Sequence, residues 1–213
     1  MSNPFQAVLE GVHELYEKNT SYPDVTSEDF VVRRRYGNNG IAEFEKEAKA
    51  GVPYKSLKTL ASIVAGGTGT DLMPTNFLSF MRAEKQPAII TDGTHEWTEI
   101  TMQEGNKRIQ DGITDGNVFW VESGNIRTLP SITGTIQFPY LRQATRYPIG
   151  TEATILDMDA YFLQEYILAC LYLDDENLSA YQAHMQAAKD VLDSIKYDSI
   201  VNPPQESGWG FGM

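Results

Sequence analysis

Apolar residues recur at helical spacing near both ends of the chain and in short alternating runs in its middle. Residues 4–18, 27–50, 153–173 and 176–196 place apolar side chains three or four positions apart, which predicts four helices. Residues 55–143 contain short β-type runs broken by glycine and proline, which predicts strands. Because the terminal helices need each other to cover their apolar faces, we expect the strands to be inserted between them.

The predicted fold class is α+β: a helical bundle core formed by the N- and C-terminal helices, an inserted β-rich lobe and an extended C-terminal tail. The core takes residues 1–54 and 151–197, the lobe takes residues 55–150, and the tail takes residues 198–213. The tail, DSIVNPPQESGWGFGM, is rich in glycine and proline and cannot build a core of its own.

Local signals refine three of these elements. The sequence GNNG at residues 37–40 lies inside the second predicted helix, where it indicates either a kink or the close approach of a neighbour. Thr101 is placed to cap a helical turn over residues 101–110. The segment NVFWVESGNIRTLP predicts a hairpin that turns at residues 123–125.

Charge and composition exclude several classes of protein. The 213 residues carry a net charge of −12, which disfavours a protein that grips DNA and suits one that keeps DNA from adhering. Cys170 is the single cysteine, so the chain has no internal disulfide and no cysteine-rich zinc site. We see no signal peptide and no apolar run of about 20 residues, and expect a soluble chain made in the cytoplasm.

No pattern in the chain predicts catalysis or metal binding. The sequence GGTGT at residues 66–70 lacks the lysine and hydroxyl residue of a phosphate-binding loop, so we interpret it as a turn. Asp157 and Asp159 diverge on a helix and are typical of acids at a helix start. The histidines lie far apart, without partners at ligand spacing: His13, His95 and His184. We therefore predict no catalytic residue, no metal and no cofactor, and hence no enzyme.

Two further features bear on binding. Arg33, Arg34 and Arg35 form the single basic cluster, but three consecutive helical positions point in different directions. Salt bridges at a surface or an interface are therefore favoured over a nucleic-acid patch. Trp209 lies in the glycine-rich tail, where it is either a docking anchor or idle.

Four stretches occur in an order that can be compared with a known family. They are VVRRRYGNNGIAEFEKEAKAGVPYKSLKTLASIV, DLMPTNFLSFM, NVFWVESGNIRTLPSITGTIQFPYLRQA and DMDAYFLQEYILACLYL, and with the last helix they span roughly residues 30–197. This series resembles the head-to-tail adaptor, or head-completion, proteins of short-tailed and related tailed bacteriophages. Met73 departs from the pattern, since a leucine is expected before Pro74.

The resemblance implies a non-enzymatic ring subunit in the neck of a virion. Its partners would be the portal protein, further copies of itself in a usually twelve-fold ring, and tail or nozzle proteins. DNA would cross the ring without specific binding, and no membrane is involved.

The resemblance also implies roles for particular residues. The tail would dock on the portal through Ile200, Pro203, Pro204, Trp209 and Phe211. The candidates for acids that line the channel are Glu43, Glu45, Glu47, Asp174, Asp175 and Glu176. The arginine cluster at residues 33–35 is a candidate interface between subunits.

Two alternatives stay open. One is a subunit that completes or terminates the tail of a virion. The other is a small cytosolic ligand-binding protein or enzyme, which the absence of a catalytic pattern disfavours.

Overall fold

The computed structural model describes residues 4–19, 21–22, 24, 26–50, 55–82, 86–148, 150–151 and 156–201. The helices are α1 (Phe5–Glu17), α2 (Glu28–Ala50), α3 (Met102–Gln110), α4 (Ala160–Asp174) and α5 (Leu178–Val201), with a short 3-10 helix at Lys55–Leu57. The strands are β1 (Lys58–Gly66), β2 (Thr70–Leu72), β3 (Phe77–Phe80), β4 (Ile89–Thr91), β5 (Glu96–Glu99), β6 (Val118–Glu122), β7 (Asn125–Leu129) and β8 (Thr133–Arg142).

The chain divides into two compact units. The first, which we call the helical unit, comprises Met1–Ser56 and Ala144–Met213 and contains α1, α2, α4 and α5. The second, which we call the sheet unit, comprises Leu57–Gln143 and contains all eight strands and α3.

Helix α4 is the centre of the helical unit and packs against α1, α2 and α5. Its sequence is apolar on most sides, and Phe162, Leu163 and Ile167 are almost fully buried. The helix begins at Ala160, later than the residue 153 that periodicity predicts, because the side chain of Asp159 accepts hydrogen bonds from the N–H groups of Tyr161 and Phe162, both at 2.9 Å.

The glycines of α2 allow neighbours to approach closely. The helix runs without interruption through residues 37–40. A Cβ on Gly37 would lie 2.7 Å from Cζ of Phe5, and one on Gly40 would lie 2.9 Å from Cδ1 of Leu163. The close approach of neighbours, one of the two interpretations that the sequence left open, is therefore confirmed at Gly37 and Gly40.

The sheet unit is built on one mixed, nearly closed sheet with the order β1-β8-β4-β5-β6-β7-β2, and β3 pairs with β8 beside this path. Strands β5 and β6 are parallel and the other pairs are antiparallel. The predicted hairpin forms between β6 and β7, and α3 begins after Thr101, whose side chain accepts from the N–H of Glu104. The buried core includes Phe80, Ile90, Phe119, Ile126, Ile136 and Phe138.

The predicted fold class, a helical bundle core with an inserted β-rich lobe, is wrong. The strands form a single eight-stranded barrel-like sheet that encloses its own aromatic core. Its longest pairing joins β1 to β8, from Lys58 opposite Leu141 to Gly66 opposite Thr133. Periodicity within single segments cannot reveal pairings over so long a stretch of chain.

Candidate interaction site

An exposed acidic turn joins α4 to α5. Asp174, Asp175 and Glu176, three of the predicted channel-lining acids, are all exposed there. The hydroxyl of Tyr36 donates to Oδ2 of Asp174, and the hydroxyl of Tyr16 donates to Oδ2 of Asp175. The turn is therefore held by phenol groups from α1 and α2.

Both phenol groups stay protonated at neutral pH. Burial is the main cause that raises the pKa of Tyr16, and the hydrogen bond and negative charge of Asp175 add to it. Burial also raises the pKa of Tyr36, with a further contribution from Asp174 and an opposing one from Arg35. Each hydroxyl can therefore act as a permanent donor to its carboxylate, which fixes the position of two acids at this end of the helical unit.

The three predicted acids of α2 have different surroundings. Glu45 is buried, and its carboxylate accepts from the N–H of Ala144 at 2.7 Å and from Arg146 at 2.7 Å. Glu43 lies beside Lys46 at 3.1 Å, and Glu47 pairs with Lys196 at 2.8 Å. The hydrogen bond from Lys196 is the main cause that lowers the pKa of Glu47. Glu45 is therefore committed to an internal ion pair, and the lining of a channel stays a prediction for the other two.

The two acidic groups are separated along α2. Tyr36, which contacts Asp174, precedes Glu47 by 11 residues in the same helix. At a rise of about 1.5 Å per residue, the two points lie about 16 Å apart along the axis. The structure therefore gathers the acids of residues 174–176 and does not bring those of α2 into the same group.

The basic cluster is mostly internal. Arg33 is 2% exposed and binds Oε1 of Glu17 at 2.9 Å and Nδ1 of His13 at 2.8 Å. Arg34 is buried as well, whereas Arg35 is exposed and lies over the ring of Tyr36. The structure of the single chain thus leaves Arg35 as the member of the cluster that an interface could reach.

An apolar groove of about 290 Å³ runs between α2, α4 and α5. Its apolar lining is Phe162, Tyr166, Met185, Ala188 and Leu192, and its charged lining is Glu43, Glu47, Lys189, Asp193 and Lys196. Sequence reasoning missed this groove, because its lining comes from three helices that the chain brings together.

The predicted docking tail lies almost wholly outside the described residues. Helix α5 continues to Val201, so the backbone of Ile200 is helical and the boundary predicted at residue 198 falls inside the helix. Pro203, Pro204, Trp209 and Phe211 lie outside the described residues.

The described residues also bear on catalysis. Burial is the main cause that raises the pKa of the Cys170 thiol to about 11, so the nucleophilic thiolate is scarce at neutral pH. His184 lies 2.7 Å from buried Glu165, a pair across α4 and α5 that sequence reasoning missed because its members are 19 positions apart.

Within the described ranges, no group of three or more histidine, cysteine or acidic residues is placed to hold a metal ion. No helix among the same residues is long and apolar enough to cross a membrane.

The quoted motifs occupy definite elements of the structure. The first runs from α2 into β1, the second spans β2 and β3, the third spans β6 to β8, and the fourth forms α4 and its cap. Neither a comparison with models of known protein families nor one with curated protein sequences finds a match.

Proposed function

We propose that this chain is a head-to-tail adaptor of a tailed bacteriophage. It assembles as a ring beneath the portal protein, extends the DNA channel and gives tail or nozzle proteins a platform. The observation that carries the proposal is the exposed acidic turn at residues 174–176, held by two phenol groups in a chain of net charge −12. A ring of such turns would repel phosphates and let DNA slide.

The surroundings of the acids support this choice. Carboxylates that must repel DNA have to be exposed and ionised, and those of Asp174, Asp175 and Glu176 are exposed. Tyr16 and Tyr36 hold Asp175 and Asp174 by hydrogen bonds, so rotational symmetry would repeat these acids as a ring. The four motifs that resemble the adaptor family give independent support, because they span both units of the chain.

The proposed role requires no catalytic residue. The three histidines each have a polar partner: His13 binds Arg33, His95 lies against Asp92, and His184 binds Glu165. The thiol of Cys170 is protonated at neutral pH because its pKa is raised. The neck of the virion is the proposed location, and the portal, further copies of this chain and tail proteins are the proposed partners.

Electron microscopy of the chain mixed with the portal ring of the same phage tests the proposal. We expect added density stacked coaxially on the portal, with rotational symmetry, and residues 174–176 facing the axial channel. Separate small particles in the mixture would contradict the adaptor role. A ring whose channel is lined by other residues would contradict the acidic turn as its basis.

A truncated chain tests the tail as the portal anchor. Because α5 extends to Val201, the chain should end there rather than at residue 197, so that the helix is kept whole. We expect this variant to keep its circular dichroism spectrum and to lose binding to the portal. A variant with Trp209 and Phe211 replaced by alanine should lose it too, whereas replacing Gln205 and Ser207 with alanine should not. Portal binding by the truncated chain at the affinity of the full chain would contradict the anchor.

A further inference from the structure

We propose that the apolar groove between α2, α4 and α5 is the docking site of this chain's own C-terminal segment, residues 202–213, with the side chain of Trp209 on its floor. The groove belongs to the helical unit, and no described residue fills it. This inference goes beyond the adaptor role and does not depend on it, because the docking takes place within the isolated chain. Binding to the portal through Trp209 would require this side chain to leave the groove.

The groove has the composition of a binding site for one large side chain. Phe162, Ala188 and Leu192 form a buried floor, while Met185 and Tyr166 are partly exposed at its sides. Charged side chains surround this floor, as in protein interfaces where an apolar centre is enclosed by a polar rim. Its volume of about 290 Å³ lies at the lower end of the range for small-molecule sites, which suits a single aromatic group.

The groove lies within reach of the C-terminal segment. Ala188 precedes Val201 by 13 residues in α5, which is about 20 Å along the helix axis. Trp209 follows Val201 by eight residues, and eight extended residues span at most about 29 Å. Trp209 can therefore turn back along α5 and reach the middle of the groove without any change in the described helices.

The sequence of residues 202–213 suits a segment that docks in the groove. Trp209 stands between Gly208 and Gly210, which lack side chains that would obstruct the approach of its backbone to the helices. Indole is the side chain most enriched among the anchors of protein interfaces, because it combines a large apolar area with few rotatable bonds. Lys196 pairs with Glu47 at 2.8 Å on the rim, so these two charged groups bind each other. The apolar floor is then the main surface available to the indole of Trp209.

Fluorine NMR of the chain labelled with 5-fluorotryptophan tests the proposal. The signal of Trp209 is identified by its loss in Trp209→Phe, and its solvent isotope shift reports exposure to water. We expect a small isotope shift in the full chain and a shift close to that of free tryptophan in Met185→Glu, which places a charge at the side of the groove. Gln182→Glu is the matched control, because it adds the same charge to an exposed position of α5 and should leave the signal unchanged.

A second measurement does not depend on how Met185→Glu folds. A peptide of residues 202–213 is added to the chain that ends at Val201, and amide shifts are followed by NMR. We expect saturable shifts at Phe162, Ala188 and Leu192, and none with a peptide in which alanine replaces Trp209. A fully exposed Trp209 in the full chain, or no shift at these amides, would overturn the proposal. An isotope shift that grows on dilution as dimers dissociate would overturn it too, because the occupant would then be a second copy.

Discussion

The helical unit and the sheet unit bury different kinds of side chain. Among the described residues, the helical unit buries four charged groups, Arg33, Arg34, Glu45 and Glu165, whereas the sheet unit buries Asp71. The hydrophobic core of the sheet unit is aromatic and aliphatic, and the ring of Phe80 contacts those of Phe119 and Phe138.

This difference shows how each unit is held together. In the helical unit, ion pairs such as Glu45 with Arg146 join segments that are far apart in sequence. A buried carboxylate such as Glu45 is stable only beside a cation in the right position, so the pair favours one packing of these segments. The sheet unit is held instead by the backbone hydrogen bonds between its strands and by the apolar side chains of its core. The helical unit should therefore be sensitive to changes in its buried charges, and the sheet unit to the shape of its core.

The largest expected effect is the unfolding of the helical unit when Leu163 is replaced with aspartate. Leu163 is fully buried in α4, so an unpaired carboxylate there should cost about 4 kcal/mol or more of the free energy of unfolding. Because each unit has its own core, we expect the helical signal at 222 nm to fall while the near-ultraviolet spectrum of Trp97 and Trp120 persists. The measurement is made in a Trp209→Phe background.

Leu173→Asp is the control for this substitution, because Leu173 lies on the same helix and is exposed. It should cost no more than about 1 kcal/mol, because the added carboxylate is exposed, although it lies in the last turn of α4 beside Asp174. If Leu163→Asp removed the helical and tryptophan signals together, the two units would unfold as one, and the contrast between them would not extend to their stability.

A smaller effect is expected from Gly105→Ala in the sheet unit. A Cβ at Gly105 of α3 would lie 2.4 Å from Cδ2 of Trp120, whose ring is almost fully buried. Overpacking of this kind costs about 1–3 kcal/mol, and chemical denaturation followed by the fluorescence of the sheet tryptophans measures it. Gly112→Ala is a poor control because Gly112 has a positive φ, so Gln110→Ala at the exposed end of α3 serves instead. An unchanged stability would show that α3 is free to move away from the sheet.

The helices could be predicted from the sequence and the sheet could not, for a physical reason. Helical contacts are local, so apolar residues such as Val8, Leu163 and Leu192 reveal the buried face of their own segment. The pairing of β5 with β6 is parallel and spans α3, and no property of either strand indicates its partner. The prediction therefore gave the strands a minor role that the nearly closed sheet contradicts.

The candidate interaction site likewise combines features that the local sequence predicts with features that depend on distant parts of the chain. Asp174 and Asp175 fall between the predicted helices at residues 153–173 and 176–196, and α4 does end at Asp174; this much was predictable because turn signals are local. The burial of Glu45 could not be predicted, since its partner Arg146 lies 101 positions away in the sequence. The lining of the groove exists only once α2, α4 and α5 have been brought together.

The smallest expected effect compares one acid from each unit at low pH. Burial raises the pKa of Glu99 in the sheet unit, but hydrogen bonds from Arg82 and the Ala88 N–H, with the charge of Arg82, outweigh it and lower the pKa overall. A carboxyl whose pKa is lower in the folded chain stabilises the fold above its unfolded pKa of about 4.3, and this stabilisation is lost as the pH falls through the folded value.

Glu99→Gln should therefore cost on the order of 1 kcal/mol at pH 7 and progressively less below about pH 4. Glu47→Gln should cost less at every pH, because Glu47 has one donor, Lys196, and is more exposed. Urea denaturation between pH 3 and pH 7 measures both, and a larger loss in Glu47→Gln would show that the single pair with Lys196 stabilises the helical unit more than the hydrogen bonds from Arg82 and Ala88 to Glu99 stabilise the sheet unit.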